Sequence, residues 1–568
     1  MIQTSKTIGH GLALAILLVA ASACGAADPI YDLDAILAPP LDARVLKVDE
    51  ADDIVIEQVM FHSHVDPHVD GGNKVDIFAL FAYPKGARDL PAFIWNQSGL
   101  AQASDYFPKI GAKRGYAVLC IDFPQAGYRS TGGYLINGGL SVPEDPQRAP
   151  IYHGAVALLR AVSYLESRDQ VDPDRIGMAG SSWGGFYTTM MAGIDPRLKV
   201  ASAMFGCGSL QLGNSWWDGQ GPGHGPDPAT RERWRTTLDP AWRLPTSKVP
   251  IGWFTGTQDG FYRMPALMKT YEMAGAQKPL SLTPNWDHGL PPQIDEQVFA
   301  WLDVHLKGAP GFPKFQLWEV KIKRSDKDGF PRRPTVSVLW EVVGPRKIVA
   351  AEINYSYGEA GSWSSRYWIT KPVQGDILYY DSYFHRNLPS HVFGSVIDED
   401  GFRYSTPIRR VEPYQPQPDD HFTLPPLKYD GVSQWGDFEP PHVDYLRRMA
   451  YMNAVTNTDA HTGAQSAQLK PGSHRLGPLL YTPGLPHRFT AYLKSETPAE
   501  VTIKLAGHFD GQPTTIERTI TVNQTWTPVS LDITPPVAVS AHLSPHVTVP
   551  AGATVLIDAV TFQPHHTE

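Results

Sequence analysis

Residues 175–192 read RIGMAGSSWGGFYTTMMA, and they are the most informative stretch of the chain. An apolar run typical of a buried parallel strand leads into Gly180-Ser181-Ser182-Trp183-Gly184, and a helix-like stretch follows from residue 185. A strand, a sharp turn and a helix in this order hold a serine hydroxyl above the edge of a sheet, and small glycines permit the strained turn. The pattern predicts that Ser182 is a nucleophile on an α/β sheet.

Strand-like and helix-like segments alternate on both sides of this stretch, from residue 54 to about residue 307. We interpret six further apolar runs as strands: Ile54–Phe61, Val75–Ala82, Ala92–Trp95, Tyr116–Phe123, Val200–Phe205 and Ile251–Thr255. Ala155–Leu165 and Gln293–Lys307 each place their apolar residues on one stripe of a helix. The alternation predicts a three-layer α/β domain with a mostly parallel sheet, over residues 28–308.

A serine hydroxyl needs a base to activate it, and the base needs an acid to orient it. On this kind of sheet the expected chain order is serine, acid, histidine. Asp259 follows the apolar run 250–255, and His288 lies in a turn before the last helix. Asp287 is adjacent to His288 in sequence and Asp303 lies inside a helix, so Asp259 is the predicted acid.

An acyl-transfer site also needs N–H donors for the oxyanion that develops during attack. The backbone N–H of Trp183, the residue after the serine, is one predicted donor. The loop after the third strand, Asn96-Gln97-Ser98-Gly99, is expected to supply the other, and Gln97 is our prediction. The His-Gly-Gly run that is common in such loops is absent here.

Several segments resemble the α/β-hydrolase superfamily, and within it acetyl-xylan-esterase-like and dienelactone-hydrolase-like enzymes and the prolyl-oligopeptidase catalytic domain. Residues 152–185 carry the resemblance, residues 122–130 are similar to the Asp-x-x-Gly-x-Gly-x-Ser loop of these relatives, and residues 285–288 to their histidine loop. The resemblance covers about residues 54–307 and implies a serine hydrolase of esters. Dienelactone hydrolases themselves use a cysteine where this chain has Ser182.

Residues 208–249 form a tryptophan-rich insertion between the sixth strand and the acid, where such enzymes often place a lid. Stacking on a sugar or on an aromatic acyl group is one role for these side chains, and packing against one another is the alternative. The aromatic residues predicted to contact substrate are Trp216, Trp217, Trp234 and, beside the histidine, Trp286.

Beyond residue 308 the pattern becomes β-branched and aromatic, with turn residues between short runs. Pro-rich stretches at 412–418 and 425–426 predict a boundary between a β-rich, Ig-like domain (309–430) and a β-sandwich (431–568). The pattern of the last domain resembles jelly-roll carbohydrate-binding modules. A domain that only braces the hydrolase is the alternative, because a sandwich does not by itself specify a function.

Residues 1–27 have the features of an export signal, with Lys6, an apolar run over 11–23 and small residues at the expected cleavage site. The run is shorter than the roughly 20 residues that a membrane-spanning helix needs. Ser22-Ala23-Cys24-Gly25 resembles the end of a bacterial lipobox, which implies lipidation of Cys24, and simple cleavage is the alternative. We therefore predict a periplasmic, cell-surface or secreted protein, with membrane anchoring through Cys24 if it is lipidated.

The composition excludes several classes of protein. The 568 residues include 49 Lys and Arg against 58 Asp and Glu, a net charge of −9, with 11% aromatic residues. Such a chain is not disordered, and its acidic balance argues against a nucleic-acid partner. With 3 cysteines it is not a disulfide scaffold, and Cys120 and Cys207 are predicted to be buried thiols.

The motif His62-x-His64-x-Asp66-x-His68 has a spacing that can bind zinc, because alternate residues of a strand share one face. Pro67 and the glycines that follow indicate a turn instead, where solvated polar side chains are ordinary. We therefore predict neither a metal nor a cofactor.

The function predicted from the sequence is that of an exported serine hydrolase that cleaves esters, with acetyl or uronoyl esters of polysaccharides favoured. One alternative is an Xaa-Pro dipeptidyl-peptidase or cocaine-esterase-like peptidase or amidase, since these also place a β-sandwich after the hydrolase. Another is a non-catalytic surface lipoprotein that binds glycans.

Overall fold

The structure is a computed structural model. It describes residues 28, 30–51, 53–66, 73–100, 102–124, 129–132, 141–218, 225–289, 291, 293–324, 334–374, 377–383, 388–413, 435–439 and 455–565. The predicted export signal with Cys24, the side chain of His68 and most of the Pro-rich boundary lie outside these residues. Among the residues described, no helix is both long enough and apolar enough to cross a membrane.

The first unit is built on a nine-stranded sheet of described residues. Its strands are β1 (Arg44–Ala51), β2 (Ile54–Asp66), β3 (Asn73–Pro84), β4 (Leu90–Asn96), β5 (Ala117–Ile121), β6 (Val171–Ser181), β7 (Val200–Met204), β8 (Ile251–Gly256) and β9 (Leu280–Thr283). They lie in the order β1-β2-β3-β5-β4-β6-β7-β8-β9. The neighbouring strands in β1-β2-β3-β5 form antiparallel pairs. The neighbouring strands in β5-β4-β6-β7-β8-β9 form parallel pairs, so β5 pairs in both ways.

Helices cover both faces of this sheet. They are α1 (Leu33–Leu37), α2 (Tyr106–Lys113), α3 (Pro150–Glu166), α4 (Trp183–Ile194), α5 (Ser215–Asp218), α6 (Pro228–Thr237), α7 (Met264–Met273) and α8 (Ile294–Leu306). Apolar residues of α3, α4 and α7 pack on one face, and those of α8 pack on the other. Because both faces are covered, β5, β7 and β8 are buried along their whole lengths. The predicted three-layer α/β domain is confirmed.

The chain then forms two antiparallel sheets. Their strands are β10 (Lys314–Arg324), β11 (Pro334–Val343), β12 (Ile348–Tyr357), β13 (Ile369–Val373), β14 (Ile377–Tyr383), β15 (Ser390–Asp398), β16 (Arg403–Ser405) and β17 (Arg409–Val411). One sheet has the order β10-β11-β14 and the other β13-β12-β15-β16, with β17 paired to β15. We call residues 314–411 the middle domain.

The last part of the chain is a sandwich of two antiparallel sheets. Its strands are β18 (Val455–Asn457), β19 (Ser466–Leu469), β20 (Gly472–Arg475), β21 (His487–Ser495), β22 (Ala499–Phe509), β23 (Gln512–Val522), β24 (Thr527–Ile533), β25 (Ala541–Val549) and β26 (Val555–Pro564). The sheet orders are β18-β19-β26-β21-β24 and β20-β25-β22-β23. Alternate residues of β21 are buried, as expected when one face of a strand meets the core. The prediction of all-β structure after the α/β domain is confirmed.

Both described cysteines are buried and free, as predicted. Cys120 lies in β5, and burial raises the pKa of its thiol to about 12. Its thiolate fraction at neutral pH is therefore very small, and Cys120 is a core residue rather than a nucleophile.

Candidate active site

Ser182 lies at the carboxyl edge of the parallel sheet, between β6 and α4. Its backbone has φ 56° and ψ −118°, a conformation that non-glycine residues rarely adopt and that is strained. The conformation is held from both sides, because Ser182 N donates to Met204 O at 3.0 Å and Phe186 N donates to Ser182 O at 2.9 Å. The turn thus projects the serine side chain from the sheet, as the sequence predicts.

The glycine after Trp183 permits the close approach of helix α4 to the end of β4. A Cβ atom on Gly184 would overlap the backbone carbonyl of Asn96. The two elements are also joined by a hydrogen bond in which Asn96 Nδ2 donates to Thr188 Oγ1 at 3.1 Å. These contacts bring the loop that begins at Gln97 against the turn that carries Ser182.

The side chains of Ser182, His288 and Asp259 form one hydrogen-bonded line. The distance between Ser182 Oγ and His288 Nε2 is 2.8 Å, and His288 Nδ1 lies 3.0 Å from each carboxylate oxygen of Asp259. Ser182 and Asp259 are buried, and the ring of His288 is mostly buried. A hydroxyl next to an imidazole whose other nitrogen meets a carboxylate is the arrangement that activates a serine.

Asp259 is fixed by donors of its own loop. Phe261 N and Tyr262 N each donate to Asp259 Oδ1 at 2.8 Å, and Thr255 Oγ1 donates to Oδ2 at 3.4 Å. These bonds orient the carboxylate toward His288. The competing acid Asp303 is engaged elsewhere, since it accepts a hydrogen bond from the Tyr116 hydroxyl at 2.5 Å.

The two predicted oxyanion donors belong to segments next to Ser182 and to the end of β4. Trp183 is the first residue of α4, where backbone N–H groups have no partner within the helix and the helix dipole favours negative charge. Gln97 directly follows β4 at the contact between Asn96 and Gly184.

Residues 96–305 match the family model described as alpha/beta hydrolase fold. The matched region contains Ser182, Asp259 and His288 and the parallel strands that carry them. The first unit has the α/β-hydrolase fold. We refer to it below as the hydrolase domain.

Three proteins that are similar to parts of this chain share little of its sequence. YtaP, a protein of Bacillus subtilis (strain 168) named as a hydrolase, is 27% identical over 179 residues, which are 28% of this chain and 56% of that protein. The chain thus spans little more than half the length of this curated relative. Among solved structures, an acetyl xylan esterase of a Thermoanaerobacterium species matches with a TM-score of 0.41 at 16% identity, over 48% of this chain and 90% of its own. An acetyl xylan esterase of a Paenibacillus species matches with a TM-score of 0.41 at 20% identity, over 48% of this chain and 92% of that esterase.

Two partly exposed aromatic rings lie next to each other near the predicted site, and one of them contacts His288. Trp216 is 36% exposed and Phe261 is 41% exposed, although both are large apolar side chains. Their ring centroids are 5.5 Å apart, Trp216 lies 4.9 Å from Trp183, and Phe261 lies 4.6 Å from the ring of His288. We call Trp216 and Phe261 the aromatic shelf. Trp216 was predicted from the sequence and Phe261 was not, although Phe261 follows Asp259 by two residues.

The other tryptophans predicted to contact substrate are differently placed. Trp217 and Trp234 are fully buried and pack against each other, with centroids 5.2 Å apart, so they form the interior of the lid. Trp286 packs against the core of the C-terminal sandwich. The sequence alone does not distinguish an exposed tryptophan from a buried one, and of the four only Trp216 belongs to the shelf.

Asp239 organises the lid and was not identified from the sequence. Its carboxylate accepts hydrogen bonds from the backbone N–H groups of Ser209, Leu210 and Ala241 and from Trp234 Nε1, at 2.8 to 3.1 Å. Burial raises the pKa of Asp239, and these donors oppose the rise. The available signal was an aspartate before Pro240, which is typical of a residue that caps a short helix.

The histidines of the zinc-like motif do not share one face. A β-bulge between His62 and His64 breaks the alternation of β2. His62 Nδ1 lies 3.1 Å from Asp76 Oδ1, whereas His64 Nε2 lies 2.7 Å from His153 Nδ1. Within the described ranges, which leave out the side chain of His68, no three or more His, Cys, Asp or Glu side chains are placed to hold a metal ion.

The partly buried ring of His64 should make the stability of the protein depend on pH. Burial and the neighbouring His153 and His62 lower the pKa of His64 from 6.5 to about 3. The unfolded chain therefore binds a proton at this residue below pH 6.5 while the folded protein does not, so stability falls as the pH falls toward 3. Between about pH 7 and pH 5 the loss amounts to about 2 kcal/mol for this ring.

His64→Gln removes the titrating group. We therefore expect the free energy of unfolding of this variant to fall by about 2 kcal/mol less than that of the wild type between pH 7 and pH 5. Urea titrations of the wild type and the variant at the two pH values measure the difference. Equal pH dependence in both proteins would contradict the prediction.

Proposed function

We propose that the protein is an exported serine hydrolase that cleaves carboxylic esters through an acyl-enzyme. The observation that carries the proposal is the hydrogen-bonded line from Ser182 Oγ to His288 Nε2 and from His288 Nδ1 to Asp259. The strained backbone of Ser182 supports it, because such strain concentrates at reactive residues.

In the proposed reaction, Ser182 Oγ attacks the ester carbonyl while His288 Nε2 takes the hydroxyl proton. Asp259 holds the imidazole in the tautomer with the proton on Nδ1 and stabilises the imidazolium that forms. The backbone N–H groups of Trp183 and Gln97 donate to the oxyanion. His288 then protonates the leaving alcohol, and a water activated by the same ring releases the acid and restores Ser182.

The proposed substrates are acyl esters of polysaccharides, such as acetyl or uronoyl esters. The aromatic shelf supports this choice, because the flat apolar face of a sugar ring packs well on aromatic rings. The export signal predicted over residues 1–27 supports it too, since polysaccharide substrates are found outside the cell. Lipidation of Cys24 is part of the proposal, and the mass of the mature N-terminal peptide tests it.

A substrate panel with product identification tests the proposed function. The panel contains acetylated xylan, a methyl ester of glucuronic acid, p-nitrophenyl acetate and a prolyl p-nitroanilide, each assayed with wild type and with Ser182→Ala. Release of acetate or methanol by the wild type alone supports the proposal. Faster cleavage of the prolyl anilide than of every ester favours the peptidase alternative, and no turnover of any substrate favours a glycan-binding protein without activity.

The aromatic shelf predicts a change in substrate affinity. Trp216→Ala should raise KM for acetylated xylan about 3- to 10-fold with a much smaller change in kcat, as expected for the loss of one aromatic contact of about 0.5 to 1.5 kcal/mol. Leu212→Ala, at another exposed apolar residue of the lid, is the matched control and should leave KM unchanged. A fall in kcat at unchanged KM would show that the shelf does not bind substrate.

A further inference from the structure

The loops that carry Asp259 and His288 are joined to each other beside the two residues. Gln258 N donates to Trp286 O at 2.8 Å, and Gln258 Nε2 donates to Asn285 Oδ1 at 3.2 Å. Gln258 immediately precedes the acid, and Asn285 lies three residues before the histidine. These bonds therefore join the loop of the acid to the loop of the base.

Both side chains also bind a segment of the middle domain, residues 358–368, which we call the strap. Asn285 Nδ2 donates to Trp368 O at 2.7 Å and Trp368 N donates to Asn285 Oδ1 at 2.8 Å, so the amide pairs with the backbone at two points. Gln258 Nε2 donates in addition to Arg366 O at 3.0 Å. Gln258 and Trp368 are buried, so water does not readily replace these bonds.

The strap is held rigidly by a buried arginine. The guanidinium of Arg366, which is fully buried, donates to the backbone carbonyls of Tyr357 at 2.7 Å and Gly361 at 2.9 Å, and also to those of Gly358 and Glu359. Hydrogen bonds from a charged donor are stronger than those between neutral groups. The bonds fold the strap back on itself, so that Arg366 O faces the acid loop.

The strap is fixed to the C-terminal sandwich as well. Ser365 Oγ donates to Ala541 O at 3.0 Å, and Tyr367 N donates to Tyr481 O at 3.1 Å. Trp286, next to Asn285, packs on the core of the same sandwich. Both β domains therefore support the loops of the hydrolase domain from outside.

Asn285 has a backbone φ of 56°, a left-handed conformation that asparagine tolerates better than most residues. The conformation turns the chain between the end of β9 and His288. Its side chain and its backbone thus both contribute to the position of the histidine.

We propose that Asn285 and Gln258 are positioning residues, which use the backbone of the strap to set the distance between Asp259 and His288. The proposal rests on the proposed function, because it concerns the same hydrogen-bonded side chains. It makes the β domains part of the catalytic unit rather than separate modules. A displacement of the imidazole by about 1 Å is enough to lower the rate about 10²-fold.

Asn285→Gly is the informative variant in the full chain, because glycine keeps the left-handed backbone and removes only the amide. We expect kcat for p-nitrophenyl acetate to fall about 10- to 100-fold while KM changes less than about 3-fold. Asn354→Ala is the matched control. Asn354 is a fully buried asparagine of the middle domain, whereas Asn285 is only partly buried, and Asn354 accepts a hydrogen bond from Thr370 Oγ1 at 2.7 Å. Its loss should lower the melting temperature and leave kcat unchanged.

Proton NMR gives a second readout that does not require turnover. The Nδ1 proton shared by His288 and Asp259 should give a far-downfield resonance in the wild type, absent in His288→Ala, and Asn285→Gly should shift or broaden it. Wild-type kcat and an unshifted resonance in Asn285→Gly would overturn the positioning role and leave the proposed function intact. A shifted resonance in a protein whose wild type cleaves no ester would refute the proposed function and support the positioning role. If Asn285→Gly does not fold, Gln258→Ala takes its place with the same expected direction.

Discussion

Replacing Ser182 with alanine should lower kcat/KM for p-nitrophenyl acetate by at least about 10³-fold, because the variant lacks the hydroxyl that His288 Nε2 contacts and that would form the acyl-enzyme. Ser182 Oγ is the group 2.8 Å from that nitrogen. The variant should fold normally, since the bonds that hold this turn are made by the backbone of Ser182 and not by its side chain. Steady-state kinetics with circular dichroism measures both properties.

The neighbouring serine provides a matched control. Ser181 is also buried and belongs to the same turn, but it is the last residue of β6. Ser181→Ala should retain activity within about 10-fold of the wild type. Equal losses in the two variants would indicate that damage to the turn, and not removal of the nucleophile, causes the effect.

Asp259→Asn should lower kcat about 10³- to 10⁴-fold, the second large effect. Both carboxylate oxygens lie 3.0 Å from His288 Nδ1, and Oδ1 also accepts from Phe261 N and Tyr262 N. An asparagine must use its oxygen for these backbone donors, so its NH₂ group faces Nδ1. The imidazole then carries its proton on Nε2, where it cannot accept the proton of Ser182.

The control for this prediction is Asp303→Asn, which changes an acid of the hydrolase domain bonded to Tyr116 and not to His288. Its kcat should stay within about 3-fold of the wild type even where its stability falls. Activity of Asp259→Asn near that of the wild type would contradict the assignment of Asp259 as the acid partner of His288.

The sequence predicted those parts of the hydrolase domain whose signals are local. The run before Ser182 became β6 (Val171–Ser181) and the stretch after it α4 (Trp183–Ile194). The second half of β6, residues 176–181, and nearly all of α4 are buried, and continuous apolar patterns of this kind give the clearest predictions. Chain order, together with the positions of the two residues after an apolar run and before the last helix, was enough to select Asp259 and His288, which the structure brings together.

Elements without a buried face were not predicted. Strand β1 (Arg44–Ala51) is exposed along its whole length, so its residues lack the apolar alternation that identifies a strand. The bulge in β2 puts the side chain of His64 on the opposite face of the sheet from that of His62, because one extra residue changes which face the following side chains take.

The strap was not predicted for a different reason. Asn285 and Trp368 are 83 residues apart in the chain and belong to different domains. The strap binds Asn285 and Gln258 through its backbone, and every residue type has a backbone carbonyl. Such hydrogen bonds therefore leave no recognisable pattern in the sequence of the strap. The role of Asn285 therefore depends on tertiary structure and is not visible in local patterns.

Labelling with a fluorophosphonate probe, followed by mass mapping of the labelled peptide, tests most directly whether this protein is a serine hydrolase. We predict a single adduct on Ser182 of the wild type, and strongly reduced labelling in His288→Ala, because the probe reacts only with an activated serine. Absence of an adduct on Ser182 under conditions that label a known serine hydrolase, or undiminished labelling without His288, would contradict it.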